Sequence, residues 1–199
     1  MPHKAKQSGT DAGSRGGSGG GAPRVLVAVS RYNASVTDAL LEGAVEAYTD
    51  RVGRSGELEI VGVPGAFELT AAARAGAVCG RFDGVAALGC IIKGETSHDE
   101  YIAHAVAQGL TAITVSTGMP IGLGVLTVNI AAQARARAGG KKGNKGREAM
   151  EALLDTIELV RAIEAGEDEG VATSGGRAIP DKARGGGGRA VGRGVKGKR

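Results

Sequence analysis

Short apolar runs alternate along this chain with stretches in which apolar residues return every three or four positions, and that alternation predicts its elements. Arg24 to Val29 is a β-branched apolar run, a buried strand that the polar Ser30-Arg31-Tyr32-Asn33 brings to an end. Val36, Leu40, Ala44, Tyr48 and Val52 then recur at helical spacing as far as Gly53. Glu57 to Val63 reads as a second strand broken by Pro64-Gly65, and Ala66 to Val78 is Ala-rich and helical by propensity. Gly84 to Ile92 is almost wholly apolar, as a strand buried on both faces must be. After Lys93 to His98, a helix over Ser97 to Leu110 has Tyr101, Ile102, Ala105 and Val106 as its apolar side. Thr111 to Ser116 is expected to be a fourth strand, Thr117 to Pro120 a turn, and Ile121 to Val128 a fifth strand. A short helix over Ala131 to Ala138 leads to a basic Gly-rich bend, Gly139 to Gly146. The last helix carries Met150, Leu153, Leu154, Ile157, Val160 and Ile163 and ends near Gly166.

Strands alternating with helices imply right-handed crossovers and a sheet covered on both sides. The expected fold class is α/β, a three-layer α/β/α sandwich with a mainly parallel sheet and a flavodoxin-like topology. No internal repeat is evident. In a parallel sheet the strands end along one edge, where such folds bind ligands. The loops expected to converge there are Arg31 to Asn33, Pro64 to Glu68, Lys93 to His98, Thr117 to Pro120, and Asn129.

Charge divides the chain into three parts. Residues 1–23 hold three Lys/Arg against one Asp, and residues 171–199 hold eight against one Asp, leaving the middle with 14 Lys/Arg against 19 Asp/Glu. The ends are therefore basic and the middle acidic. Residues 1–23 and 167–199 are Gly-rich, with too few large apolar side chains to offset ordering entropy, and are expected to be disordered around a domain at 24–166. The start of the chain lacks the apolar core of a secretory signal, and no run approaches a membrane span. Cys79 and Cys90 have no metal or redox spacing and read as two buried thiols in a reducing compartment, giving a cytoplasmic expectation.

The candidate chemistry gathers at the strand ends. Aromatic residues make up only 3% of the chain, yet Tyr32 and Phe67 both fall at strand ends, as stacking on a planar heterocycle would require. Tyr32 also fits a turn residue with a solvated hydroxyl, Phe67 a core residue, and Glu68 a carboxylate stabilised at a helix start. Lys93 to Ser97 precede a helix, whose free N–H groups and positive dipole end favour an anion, although every helix after a strand has such an end. His98 sits there as a proton donor and acceptor, or simply as a surface His. His104, ~240° further round the helix, is not expected to share the site. Arg135, Arg137, Lys141, Lys142, Lys145 and Arg147 form a basic cluster that suits an anionic ligand, a solvated face or nucleic acid. The order of Gly139 to Gly146 does not match a nucleotide-binding P-loop.

Taken together, Arg31-Tyr32-Asn33, Val63 to Glu68, Ala87 to His98, Gly124 to Thr127, Arg137-Ala138-Gly139 and Lys141 to Gly146 resemble the 6,7-dimethyl-8-ribityllumazine synthase family in order and spacing over roughly residues 24–165. The resemblance implies the penultimate step of riboflavin biosynthesis. There, two small-molecule substrates, 5-amino-6-(D-ribitylamino)uracil and 3,4-dihydroxy-2-butanone 4-phosphate, condense with release of phosphate and water, without metal or redox cofactor. It implies that Tyr32 stacks on the pyrimidine, with Asn33 beside it, and that Ala66, Phe67 and Glu68 hold the ribityl chain. Cys90, Ile91 and Ile92 would recognise the pyrimidine edge. Glu95, Thr96 and Arg137 would bind the phosphate, and His98 would transfer protons. Leu123 stands where several members place an aromatic residue from the neighbouring subunit, and Asp99 where an aromatic residue is common. Family members are homopentamers with sites between subunits, and some build a hollow 60-subunit shell. The Gly139–Gly146 bend resembles that of shell builders, while Gly17 to Pro23 has little β propensity for the added strand that many of them use. Two other classes compete with an enzyme. One is a shell or scaffold protein holding polyanionic cargo on its basic tail. The other is a nucleic-acid binder whose tails, lacking aromatics, would make only non-specific, salt-sensitive contacts.

Overall fold

The structure, a computed structural model, describes residues 21–53 and 56–166. The two tails expected to be disordered, 1–23 and 167–199, therefore lie outside the described residues, apart from residues 21–23. The elements run β1 (Arg24–Ser30), α1 (Ala34–Val52), β2 (Glu57–Val63), α2 (Leu69–Val78), β3 (Gly84–Ile92), α3 (His98–Thr117) and β4 (Ile121–Val128). They continue with α4 (Ala131–Arg137), β5 (Ala138–Gly140), β6 (Gly143–Asn144) and α5 (Lys145–Ala165).

The main sheet is parallel with strand order β2-β1-β3-β4. Pairings such as Val27 with both Ile60 and Ala86 put β1 between β2 and β3. The chain leaves β1 toward one side for β2 and returns to its other side for β3. The strand order thus reverses between β1 and β3, and a crevice opens beyond their carboxyl ends.

Both faces of the sheet are covered. On one face Leu26, Ala28, Val85, Ala87 and Ile91 pack against Leu69 and Ala73 of α2 and Val106, Leu110 and Ile113 of α3. The alternate strand residues Val25, Val27, Ala86 and Leu88 meet Ala44 and Tyr48 of α1 and Met150, Leu153, Leu154 and Ile157 of α5. Each fully buried Leu in these layers contributes roughly 1.5–3 kcal/mol. A third cluster, Val36, Leu40, Cys90, Leu126, Val128 and Ala134, closes the core beneath the strand ends. The expected three-layer α/β/α sandwich is therefore present, with α2 and α3 on one side and α1 and α5 on the other.

The expected fourth strand is not a strand. Thr111 to Ser116 continue α3, so the main sheet has four strands and not five. Their β-branched side chains suggest a strand, but no Gly, Pro, Asn or Asp occurs from Leu110 to Thr117, so nothing ends the helix before Gly118. Val106, Leu110 and Ile113 stay buried at helical spacing. Thr111 Oγ1 donates to the Ala107 carbonyl at 2.9 Å and Thr117 Oγ1 to that of Ile113 at 2.6 Å, so these hydroxyls are satisfied within the helix. Packing thus overrides propensity. The Thr117–Pro120 turn consequently lies at the opposite edge, where Val85 N–H donates to the Pro120 carbonyl at 3.1 Å.

Two smaller corrections matter for chemistry. α2 begins at Leu69, so Ala66, Phe67 and Glu68 form a turn ahead of the helix and not its first residues. Cys79 is exposed, and only Cys90 is a buried thiol. The Gly-rich bend is a small antiparallel hairpin of β5 and β6, with Gly139 and Gly143 at positive φ. Asn144 docks it. Its Oδ1 accepts Gly146 N–H at 2.8 Å and Arg147 N–H at 3.2 Å, capping α5, while Nδ2 donates to the Ala39 carbonyl at 2.7 Å. A Cβ on Gly146 would lie 1.9 Å from the Leu40 carbonyl oxygen, so only glycine allows α5 to start this close to α1.

Charges tie the outer layer. Arg51 of α1 bonds Asp155 and Glu158 of α5 at 2.5 and 2.7 Å. Ahead of β3, Asp83 accepts Arg24 N–H at 2.7 Å and pairs with the Arg24 and Arg161 guanidiniums, each at 3.4 Å. Burial by itself raises the Asp83 pKa. The Arg24 N–H and guanidinium, with the charge of Arg161, outweigh burial and hold it below its usual value. Among the described residues no helix is long and apolar enough to cross a membrane.

Candidate active site

Three strand-to-helix turns build a groove at the crevice between β1 and β3. In the first, Asn33 adopts a left-handed backbone, φ 62° and ψ 41°, a conformation that Asn tolerates better than most residues. Its carbonyl accepts Val36 N–H at 2.8 Å and Thr37 N–H at 3.1 Å, which starts α1. Pairing between β1 and β3 ends at Val29 and Leu88. Two residues further along β3, Asn33 Nδ2 donates to the Cys90 carbonyl at 2.9 Å and continues the tie. The sharp turn leaves Tyr32 73% exposed at the mouth of the crevice.

In the second turn, Glu68 Oε2 accepts Gly65 N–H at 2.9 Å, which folds Pro64 to Glu68 into a closed loop. Phe67 projects from it and is 56% exposed, so it is not the core residue that its type alone allows. In the third turn, Lys93 N–H donates to the Val128 carbonyl at 2.8 Å as β3 ends. The Ser97 carbonyl then takes the N–H groups of Glu100 and Tyr101 at 3.1 and 3.2 Å, opening α3 at His98. No side chain caps that helix start, so it keeps free backbone donors facing outward.

Between these turns lies an open cavity of about 760 Å³. Its floor is the end of β3, Cys90 to Ile92, with Ala66 beside it. Tyr32, Phe67 and Tyr101 supply three of the chain's five Phe and Tyr rings, and Asn33, Glu68, Thr96, His98 and Asp99 supply its polar groups. Exposed rings around an apolar floor with a few converging polar groups suit a planar ligand. Burial pushes the Cys90 thiol up to about 11, so it remains protonated at neutral pH and shapes the floor without acting as a nucleophile. A second cavity at the opposite edge is lined by Arg24, Glu57, Glu59 and Arg81, with Arg24 paired to Asp83, Arg81 paired to Glu59 and the Arg81 guanidinium 5.0 Å over the Phe82 ring.

Of the residues singled out in the sequence, Tyr32, Asn33, Ala66, Phe67, Glu68, Cys90, Ile91, Ile92, Thr96 and His98 line the one groove. Glu95, Leu123 and Arg137 do not. Glu95 is exposed on the loop, and Leu123 is 57% exposed on edge strand β4. Arg137 ends α4 with Nη1 on the Gln133 carbonyl at 3.1 Å. His104 is also outside the groove, as expected. The wall further includes Asp99, Tyr101, Ile102 and Ala105. The sequence pattern marks the last three only as the apolar side of a helix. The signal was their spacing from His98, since positions 98, 101, 102 and 105 share one helix face.

A groove at the reversal point of a parallel sheet, ring-lined and ending at an uncapped helix start with a His, defines an α/β protein whose crevice suits a planar ring beside an anionic group. The model of the family described as 6,7-dimethyl-8-ribityllumazine synthase matches residues 22–161. The chain is also 44% identical over 144 residues to the 6,7-dimethyl-8-ribityllumazine synthase of Edwardsiella ictaluri (strain 93-146), a match spanning 71% of this chain and 92% of that protein. The chain belongs to the 6,7-dimethyl-8-ribityllumazine synthase family.

Proposed function

We propose that the domain at residues 24–166 condenses 5-amino-6-(D-ribitylamino)uracil with 3,4-dihydroxy-2-butanone 4-phosphate, forming 6,7-dimethyl-8-ribityllumazine for riboflavin synthesis in the cytoplasm. The observation that carries this is the placing of Tyr32 and Phe67 with Thr96 and His98 around one groove at the β1/β3 crevice. Tyr32 stacks on the pyrimidine, whose edge meets the backbone of Cys90 to Ile92. Asn33 holds that strand end in place through the Cys90 carbonyl. Ala66, Phe67 and Glu68 receive the ribityl chain; Glu68 keeps one carboxylate oxygen on Gly65 N–H, leaving the other to accept from a hydroxyl. The phosphate lies at the start of α3, on the turn of Glu95 and Thr96, where free N–H groups and the helix dipole favour an anion.

The chemistry then needs little beyond positioning and proton movement. The substrate amine attacks the ketone carbonyl, and loss of water leaves an imine. Phosphate departs by elimination, and attack of the second nitrogen closes the ring with loss of another water. His98, beside the phosphate turn, takes and returns the protons of these steps. Holding two substrates in one groove supplies much of the rate, because it makes a bimolecular step effectively unimolecular.

Leu123 and Arg137 stand away from the groove of their own chain, which supports a homopentamer in which each site borrows them from a neighbour. Arg137 then becomes the second phosphate clamp, and Leu123 a ring-free wall. The 60-subunit shell is the larger form of the same assembly. Purified protein given both substrates should develop lumazine absorbance, with His98→Ala and Arg137→Ala strongly slowed. A wild type that forms no product overturns the proposal.

A further inference from the structure

The loop from β3 to α3 holds a contact that substrate chemistry does not by itself require. The Asp99 carboxylate turns back along the chain, and its Oδ1 accepts Gly94 N–H at 3.3 Å. This bond closes the arc from 94 to 99, which carries Thr96 and His98 on the groove wall. Little else holds the arc. Glu95, Thr96 and Ser97 are exposed, and Ser97 makes no side-chain cap on α3. Crowding does not hold it either, because the nearest atom to a Cβ on Gly94 would be Thr96 N, at 4.0 Å.

The charge of Asp99 works against an anion here. Glu100 shares the first turn of α3 with it, and Glu95 lies on the arc, so residues 95–100 carry three carboxylates whose charge opposes an anion at this end. What favours anion binding is the shape that the bond imposes. We infer that Asp99 is a positioning residue. By accepting Gly94 N–H it fixes the arc that receives the phosphate group and presents His98, and it acts as a hydrogen-bond acceptor and not as a charge. This rests on the proposed reading that the arc takes the phosphate of the second substrate.

Two variants of the full-length assembled protein separate acceptor from charge. Asp99→Ala removes both, whereas Asp99→Asn keeps an acceptor oxygen and drops the charge. The readouts are kcat, KM for each substrate, melting temperature, and the Kd of inorganic phosphate by calorimetry. Asp99→Ala should raise both the KM of the butanone phosphate and the phosphate Kd about tenfold, the scale of one lost hydrogen bond to an ionised group. The KM of the ribitylaminouracil should stay within about twofold, because that substrate is held by other turns. Asp99→Asn should bind phosphate at least as tightly as wild type. Four results overturn the inference: no phosphate binding by wild type, unchanged phosphate affinity in Asp99→Ala, equal weakening in both variants, or a parallel rise in both KM values with a lowered melting temperature. If wild type forms no lumazine but the phosphate series holds, the proposed reaction falls and the role of Asp99 stands.

Discussion

Replacing Asn33 by Ala removes two supports of the groove at once. Asn33 is the one non-glycine residue at positive φ among the described residues, and its Nδ2 holds the Cys90 carbonyl at 2.9 Å. An Ala forced into the left-handed conformation costs about 1 kcal/mol relative to a residue that tolerates it. The half-buried Cys90 carbonyl, stripped of its partner, costs about 1–2 kcal/mol more. Asn33→Ala should therefore lose about 2–3 kcal/mol, a large part of the stability of an ordinary domain. Asn33→Gly relieves the backbone and loses only the bond, so it should lose about 1–2 kcal/mol. Urea midpoints at one fixed protein concentration, with the slope checked for constancy, measure both. Under the proposed function the KM for the ribitylaminouracil should rise in both variants, since Cys90 to Ile92 line the groove floor. Equal losses for Ala and Gly would remove the strain contribution, and a loss under about 1 kcal/mol for Ala would refute the tie as a support.

Other consequences concern titration, thiols and assembly. The folded Asp83 pKa is lowered, so its contribution to stability is complete above the unfolded carboxylate value and is lost as pH falls through the folded one. Asp83→Asn should therefore lower the melting temperature at pH 7 and flatten its fall on acidification; an unchanged acid limb contradicts the pairing with Arg24 and Arg161. At pH 8 iodoacetamide should label exposed Cys79, while Cys90, buried and pushed up to about 11, should label only after unfolding, as mass spectrometry of the two peptides would read. Tyr32→Ala and Arg137→Ala proteins, each weak alone, should regain activity when unfolded and reassembled together, since random mixing restores about a quarter of the shared sites. No recovery despite mixed assembly would place Arg137 outside the site.

Much of this fold was legible because buried parallel strands and amphipathic helices leave different apolar periods. β2, β3 and β4 were read with their observed ends, and β1 to within one residue. The failure at Thr111 to Ser116 came from residues whose branched side chains suit either state, so the decision rested with packing against α2 and the sheet. Ala66 to Glu68 were read as helix because alanine propensity is local, whereas the Glu68–Gly65 bond that holds the turn is not visible in propensity. Tyr101 was misplaced for a related reason. Its helix face is shared between core and groove, with Val106 1% and Tyr101 74% exposed, and an apolar pattern does not distinguish a core face from an exposed groove wall. Leu123 and Arg137 are attributable to a site only through family resemblance, because no pattern within one chain signals whether a residue serves a neighbouring copy.

The most direct test of the central claim follows two products in one reaction. Purified wild-type protein is given both substrates, and lumazine absorbance and free phosphate are recorded together. The groove of Tyr32, Phe67, Thr96 and His98 predicts that lumazine and phosphate appear in equal amounts and that His98→Ala slows both alike. Phosphate release without lumazine, or no change in either product, would contradict it.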